Sequence, residues 1–166
     1  MVVADALIIR EIGADEFGLL WPIFHEVVAA GETYSYAPDM SFEQARHLWT
    51  SDGARCFVAL LDGACVGGYM LHANQPGLGN HVANCGYMVL PAMRGRGIAG
   101  AMCGHSLAQA RQAGFTAMQF NFVVSTNEGA VRLWHKHGFE IVGRIPDAFR
   151  HARLGLVDVF VMHRSL

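Results

Sequence analysis

Two apolar runs, Arg55–Leu61 and Ala64–Ala73, are separated only by Asp62-Gly63. Asp-Gly between such runs closes a two-residue turn that sends the chain back antiparallel to itself. Further on, the apolar runs His81–Leu90 and Ala117–Val123 are separated by Gly97–Ala113, a stretch of helical period, and Asn127–His137 is a second such stretch. Hairpins need only a tight turn, whereas parallel strands need a crossover of roughly a dozen residues or more. A chain holding both arrangements is expected to form an α/β fold with a mixed central sheet of about seven strands and helices on both faces.

The remaining segments complete the order βααβββαβαββ as one domain over residues 1–166. Leu7–Ile12 reads as a strand, and Asp15–Ala30 as a helix with Asp15 as its cap, Gly31 as its stop, and a kink or late start at Pro22. Ser41 with Gln44 forms a capping box for a helix to about Ser51. Asn74–Asn80 is a loop, Glu140–Ile145 and Val157–Met162 are strands, and Pro146–Gly155 connects them. A two-residue turn pairs Leu61 with Ala64 and places Cys56 opposite Tyr69. Cys56, Cys65, Cys85 and Cys103 then read as buried free thiols.

Composition excludes several classes of function. With 52% hydrophobic and 16% charged residues, the chain is the opposite of a disordered one. A net charge of -2 argues against a nucleic-acid partner, which needs a cationic excess. None of the nine histidines stand at the i, i+4 spacing of a helical metal site, so no metal is expected. Met1–Arg10 lacks the basic and apolar regions of a leader, and no apolar run of membrane-spanning length occurs, so a cytoplasmic protein without a membrane partner is expected.

The segment Tyr87–Gly100 reads Y-M-V-L-P-A-M-R-G-R-G-I-A-G, a strand leading through a glycine loop into a helix. Unpaired N–H groups in a first helical turn, together with the positive dipole end, favour an anion there. Gly95 and Gly97 let the backbone approach it, and Arg94 and Arg96 add charge. Gly95, Gly97 and Gly100 also spell G-x-G-x-x-G, but the dinucleotide motif requires an acidic residue about 20 positions later. The chain has Gln119-Phe120-Asn121-Phe122 there. A plain tight turn is the other alternative.

Arg94-x-x-Gly97-x-Ala99 resembles the cofactor signature of the GNAT superfamily of N-acetyltransferases. The spacing Asn127-x-x-Ala130-x-x-Leu133-Trp134-x-x-x-Gly138-Phe139 resembles that family's second cofactor motif. The resemblance covers nearly the whole chain and implies the acyl-CoA N-acyltransferase fold with its central parallel strands splayed, and acetyl-CoA as co-substrate. By it, the main chain of Met88, Val89 and Leu90 would pair with the pantetheine arm. The amides of Arg94, Gly95, Arg96, Gly97, Ile98, Ala99 and Gly100 would hold the pyrophosphate, and Asn127 and Trp134 would touch the cofactor. A homodimer is common among similar proteins.

The chain departs from the family where acid and base usually stand. Asn84 replaces a frequent Glu, and Trp134 a frequent Tyr whose hydroxyl an indole cannot replace as a proton donor to a thiolate. Glu32 in the loop Gly31–Tyr36, His81, or no dedicated base at all are the alternatives. Asn84 and Asn121 are expected to position the acceptor. Asn121 should share a strand face with Gln119 and Val123, while Trp21, Tyr34, Tyr36 and Trp49 shape either the pocket or the core. The stretch Phe120–Asn127 resembles that of the yeast azetidine-2-carboxylate acetyltransferase, and the Gly31–Tyr36 loop that of the phosphinothricin acetyltransferase group. Both imply a primary or secondary amine of a small molecule, such as an amino acid, as acceptor. A protein N-terminal or ribosomal-protein acetyltransferase and a CoA-binding sensor are the alternatives. Charge is divided unevenly: residues 1–93 carry three basic and ten acidic side chains, and residues 94–166 nine and four. That division suits an anionic cofactor and a cationic amine.

Overall fold

The computed structural model describes residues 6–166; the leader reading over residues 1–5 lies outside them. Seven strands form one sheet: β1 (Leu7–Ile12), β2 (Arg55–Leu61), β3 (Ala64–Ala73), β4 (Val82–Val89), β5 (Ala117–Val124), β6 (Glu140–His151) and β7 (Gly155–Ser165), in the order β1-β2-β3-β4-β5-β7-β6. Only β4 and β5 run parallel. The helices are α1 (Trp21–Ala30), α2 (Phe42–Thr50), α3 (Ile98–Gln112) and α4 (Glu128–Lys136).

Alternation along the strands divides the core between the two faces. Val58, Met70 and Met88 meet Phe24, Val27 and Trp49 of α1 and α2 on one face. Phe57, Tyr69 and Cys85 meet Met102 and Leu107 of α3 on the other, where Phe120 stacks on Phe139 at 4.2 Å. Each such fully buried large apolar side chain contributes about 1.5–3 kcal/mol.

The helix ends follow local chemistry. Both bonds of the Ser41–Gln44 capping box are present, at 3.0 and 3.2 Å. Gly31 ends α1 at φ 65°. Helix α1 starts late, after a 3-10 turn at Ala14–Leu19, with Pro22 in its first turn where a missing N–H costs nothing. Asp15 is not the cap: it lies within the 3-10 turn, whose own N-cap is Gly13, and Leu20 holds the N-cap position of α1.

Three expected details are corrected by irregular strands. Leu61 pairs with Ala64, but a bulge after Ala59 inserts Val66, so Cys56 opposes Met70 rather than Tyr69. The four cysteines are free, and burial pushes the thiols of Cys56, Cys85 and Cys103 up to about 12. In β5 the register shifts between Phe120 and Val123, so Val123 shares the buried cluster with Phe120 while Asn121 stays exposed. Strand β6 runs through Pro146 to His151 instead of ending at Ile145. A sheet-edge strand tolerates proline at a bulge, and here Asp147 takes φ 51° with its N–H donating to Asp158 Oδ1 at 3.0 Å.

Candidate active site

The parallel ladder between β4 and β5 pairs only Val82 with Ala117 and Ala83 with Met118. Where it would continue, Asn84 Nδ2 donates to Gln119 O at 2.9 Å, while Asn84 Oδ1 lies 3.1 Å from His72 Nε2. Beyond this point the strands separate, as expected for splayed central strands. A cleft of about 1130 Å³ opens between them and continues to both ends of the site.

The backbone pattern decides which groups of β4 face that slot. Val82 O accepts from Asn74 N at 2.8 Å, and Leu90 N donates to Val66 O at 2.8 Å. Even-numbered residues therefore bond β3, and antiparallel alternation leaves the odd-numbered ones toward β5. Of Met88, Val89 and Leu90, the three expected to hold a pantetheine arm through their main chain, only Val89 presents its N–H and C=O to the slot. Met88 is committed to β3, although it lines the cleft; Leu90 does not line it. The carbonyl of Tyr87 also faces the slot, but Tyr34 Oη already donates to it at 2.8 Å.

At one end of the cleft lies the glycine loop. Gly95 (φ 77°) and Gly97 (φ 82°) adopt the left-handed conformation that turns successive N–H groups inward, and an added Cβ at either would meet only open space. No side chain caps α3, so its first N–H groups stay available. Arg94, Gly95, Gly97, Ile98, Ala99 and Gly100 line this end. Arg96 does not: its guanidinium rests on Met93 Sδ at 3.3 Å. An anionic pyrophosphate fits this cradle. Asn127 also lines the cleft and makes no side-chain capping bond to α4. Lys136 and His137, which sequence reasoning passed over, line it as well. Their only sequence signal was a position at the end of a helix that faces the loop. Burial, then Lys136 and Arg164, hold the His137 imidazole below its ordinary value.

The middle of the cleft is apolar. Trp134, 8% exposed, lies 4.9 Å from Tyr87 and 5.0 Å from Phe120 between ring centroids. Tyr87 Oη bonds Ser106 Oγ at 2.7 Å, and burial raises that phenol well above its ordinary value. It is therefore a poor proton source. Tyr34 and Tyr36 line the cleft, whereas Trp21 and Trp49 belong to the core cluster under α1 and α2.

The other end is built by the Gly31–Tyr36 loop and the β6–β7 hairpin tip, joined by Ala152 N donating to Gly31 O at 2.9 Å. Glu32, Asn84 and Asn121 line the cleft; His81 does not. Asn121 is oriented by two amide bonds, from Gln119 Nε2 at 2.9 Å and to Asn74 Oδ1 at 2.6 Å. Glu32 Oε1 is held by Arg153 Nε at 2.8 Å. His151 and Arg153 reach the cleft because β6 extends past Pro146, which is why a loop reading of that stretch missed them.

Among the described residues no group of three metal-binding side chains occurs, and no helix is long and apolar enough to cross a membrane.

Residues 19–139, more than half of the chain, match the acetyltransferase (GNAT) family. A solved structure described as a GCN5-related N-acetyltransferase from Kribbella flavida is 44% identical, with a TM-score of 0.92 over 98% of this chain and 99% of that one. A phosphinothricin acetyltransferase from Sinorhizobium meliloti, solved with acetyl-CoA, shares the fold at 23% identity, with a TM-score of 0.82 over 97% of this chain and 89% of that one. The N-acetyltransferase aca1 of Schizosaccharomyces pombe is 34% identical over 97 residues, 58% of this chain and 46% of that protein. The chain spans less than half the length of the curated relatives it matches, 46% of one and 13% of the other. With a glycine cradle opening the helix after β4, a slot where β4 leaves β5, and these matches, the chain belongs to the acetyltransferase (GNAT) family.

Proposed function

We propose that this chain transfers the acetyl group of acetyl-CoA directly to a primary or secondary amine of a small molecule, an amino acid or analogue. The observation that carries this reading is the continuity of one cleft from the cradle at Gly95–Gly97, along Val89, to Glu32 and Asn121. Acetyl-CoA, when bound, supplies the thioester carbonyl that the amine attacks, the new C–N bond replacing the C–S bond. Val89 N–H and C=O align the arm, and the cradle N–H groups neutralise the pyrophosphate. Asn121 orients the acceptor, its amide already fixed by Gln119 and Asn74. An ammonium loses two protons in all. Glu32 takes the first and passes it to water; the second reaches the departing thiolate through water, since neither Trp134 nor the strongly raised Tyr87 phenol serves as its donor. Proximity then supplies much of the rate.

A thiol-release assay with acetyl-CoA and a panel of small amines, run beside peptides with free N-termini, tests this reading. Turnover of small amines supports it. Turnover confined to peptides replaces it with a protein acetyltransferase, and acetyl-CoA binding without turnover replaces it with a sensor. The reading also includes a cytoplasmic protein and a homodimer; the edge strand β6, with Ile141, Val142 and Ile145 exposed, offers the pairing face. A monomer mass in light scattering at micromolar concentration refutes the dimer.

A further inference from the structure

The acceptor end of the cleft contains a histidine and an ion pair, and their geometry names a ligand class. His151 is the last residue of β6 and only 6% exposed. Its Nδ1 accepts two main-chain bonds, from Arg153 N at 3.1 Å and Leu154 N at 3.2 Å. A nitrogen that accepts is unprotonated, so the ring proton sits on Nε2. Nε2 has no partner among the described residues. No wholly buried side-chain nitrogen or oxygen among them lacks one, so Nε2 keeps an open face, and His151 lines the cleft. It is therefore a hydrogen-bond donor open to an acceptor in the cleft.

Beside it, the guanidinium of Arg153 holds Glu32 at 2.8 Å, with side-chain exposures of 74% and 35%. So exposed a pair is weak and exchanges easily. Ala152 N donating to Gly31 O ties the hairpin tip to the loop of Glu32, which keeps the two charges opposed across the mouth of the cleft. An α-amino acid carries the same two charges in the complementary order.

We propose that Glu32, Arg153 and His151 form a recognition site for a zwitterionic α-amino acid, and that the Glu32–Arg153 pair occupies it until the ligand exchanges with both partners. The carboxylate of the amino acid receives Arg153 and His151 Nε2–H, and its ammonium receives Glu32. This inference rests on the proposed transfer to small amines, because it names which amines enter. Exchange also releases Glu32 from Arg153 at the moment a proton must be taken. Arg153 and His151 touch only the carboxylate and act as specificity residues.

The test uses the twenty common L-amino acids, their amides and their decarboxylated amines as acceptors. Calorimetry of the same amino acids is run against protein saturated with CoA. For the amino acid best used, kcat/KM is expected to exceed that of its amide and amine at least a hundredfold. Arg153→Ala should reduce that ratio below about threefold, chiefly through KM, and Arg153→Lys should restore part of it. His151→Phe should weaken calorimetric binding at least tenfold; Arg153→Ala carries the test if burial of His151 makes that variant unstable. Turnover of amines without preference for the carboxylate overturns the site and leaves the transfer reading standing. Amino-acid binding sensitive to Arg153→Ala, without turnover of any amine, upholds the site and overturns the transfer reading. Absence of binding for all twenty overturns the site.

Discussion

Replacing Gly97 with Glu puts a carboxylate where the cradle would receive an anion. At φ 82° any side chain is strained, and an added Cβ meets no protein atom within 4 Å, so the folding cost is the backbone term alone, about 1–2 kcal/mol. For a chain of this size that lowers the melting temperature by about 2–8 °C. Gly97→Gln bears the same strain and nearly the same volume without charge, and isolates the electrostatics. A carboxylate about 5 Å from one phosphate charge, at an effective dielectric near 20, is repelled by about 3 kcal/mol. Two phosphate charges make it about 6 kcal/mol, and screening by salt reduces this, so the Glu variant should bind CoA about 10²–10⁴-fold more weakly than the Gln variant. Calorimetric titration with CoA at low and high salt measures the gap, and thermal melts verify that both variants fold. Equal CoA affinity for the folded Glu and Gln variants would remove the pyrophosphate from this loop.

Asn121→Ala should lower kcat/KM for the acceptor at least tenfold and change CoA affinity less than twofold; a loss confined to CoA affinity would move Asn121 to the cofactor's side of the cleft. The pH dependence of stability has a defined sign. His105 is depressed by burial and then by Arg55, and His137 by burial and then by its cationic neighbours. Folded values below the ordinary 6.5 mean that the unfolded chain binds more protons as pH falls through that value, so their contribution is complete above pH 6.5 and declines below it. Both groups are only partly buried, so melting temperature should fall only by about 1–3 °C between pH 7.5 and 5.5. His105→Gln should flatten that slope. A slope of the opposite sign, or one unchanged in the variant, contradicts the assignment.

Much of the architecture was legible in the residues because its determinants are local. Asp62-Gly63 closes a turn, Ser41 and Gln44 cap a helix, and Gly31 stops one, each through atoms only a few residues apart. The glycine loop was legible for the same reason, since left-handed backbone at Gly95 and Gly97 and free N–H groups at a helix start need no distant partner. Where a bulge intervened, the local reading failed. Period-two alternation carries no mark of an inserted residue, so Val66 and the shift after Phe120 turned Cys56 and Val123 to other neighbours than those expected.

The acceptor end had no such local signature. Glu32 and Arg153 stand 121 positions apart in the chain, and their pairing exists because β6 crosses its own proline and brings the hairpin tip onto the loop after α1. Asn84 stood in the sequence as a missing base. In the fold it holds Gln119 O where two parallel strands separate. The sequence by itself determined the mixed sheet, the glycine loop before α3 and the family they mark, because turns, caps and periodicity act over a few residues. Tertiary structure alone decided which main-chain groups of β4 face the slot, which charges meet across the cleft, and which nitrogen of His151 carries its proton. Those depend on bonds between segments that only the closed sheet brings together.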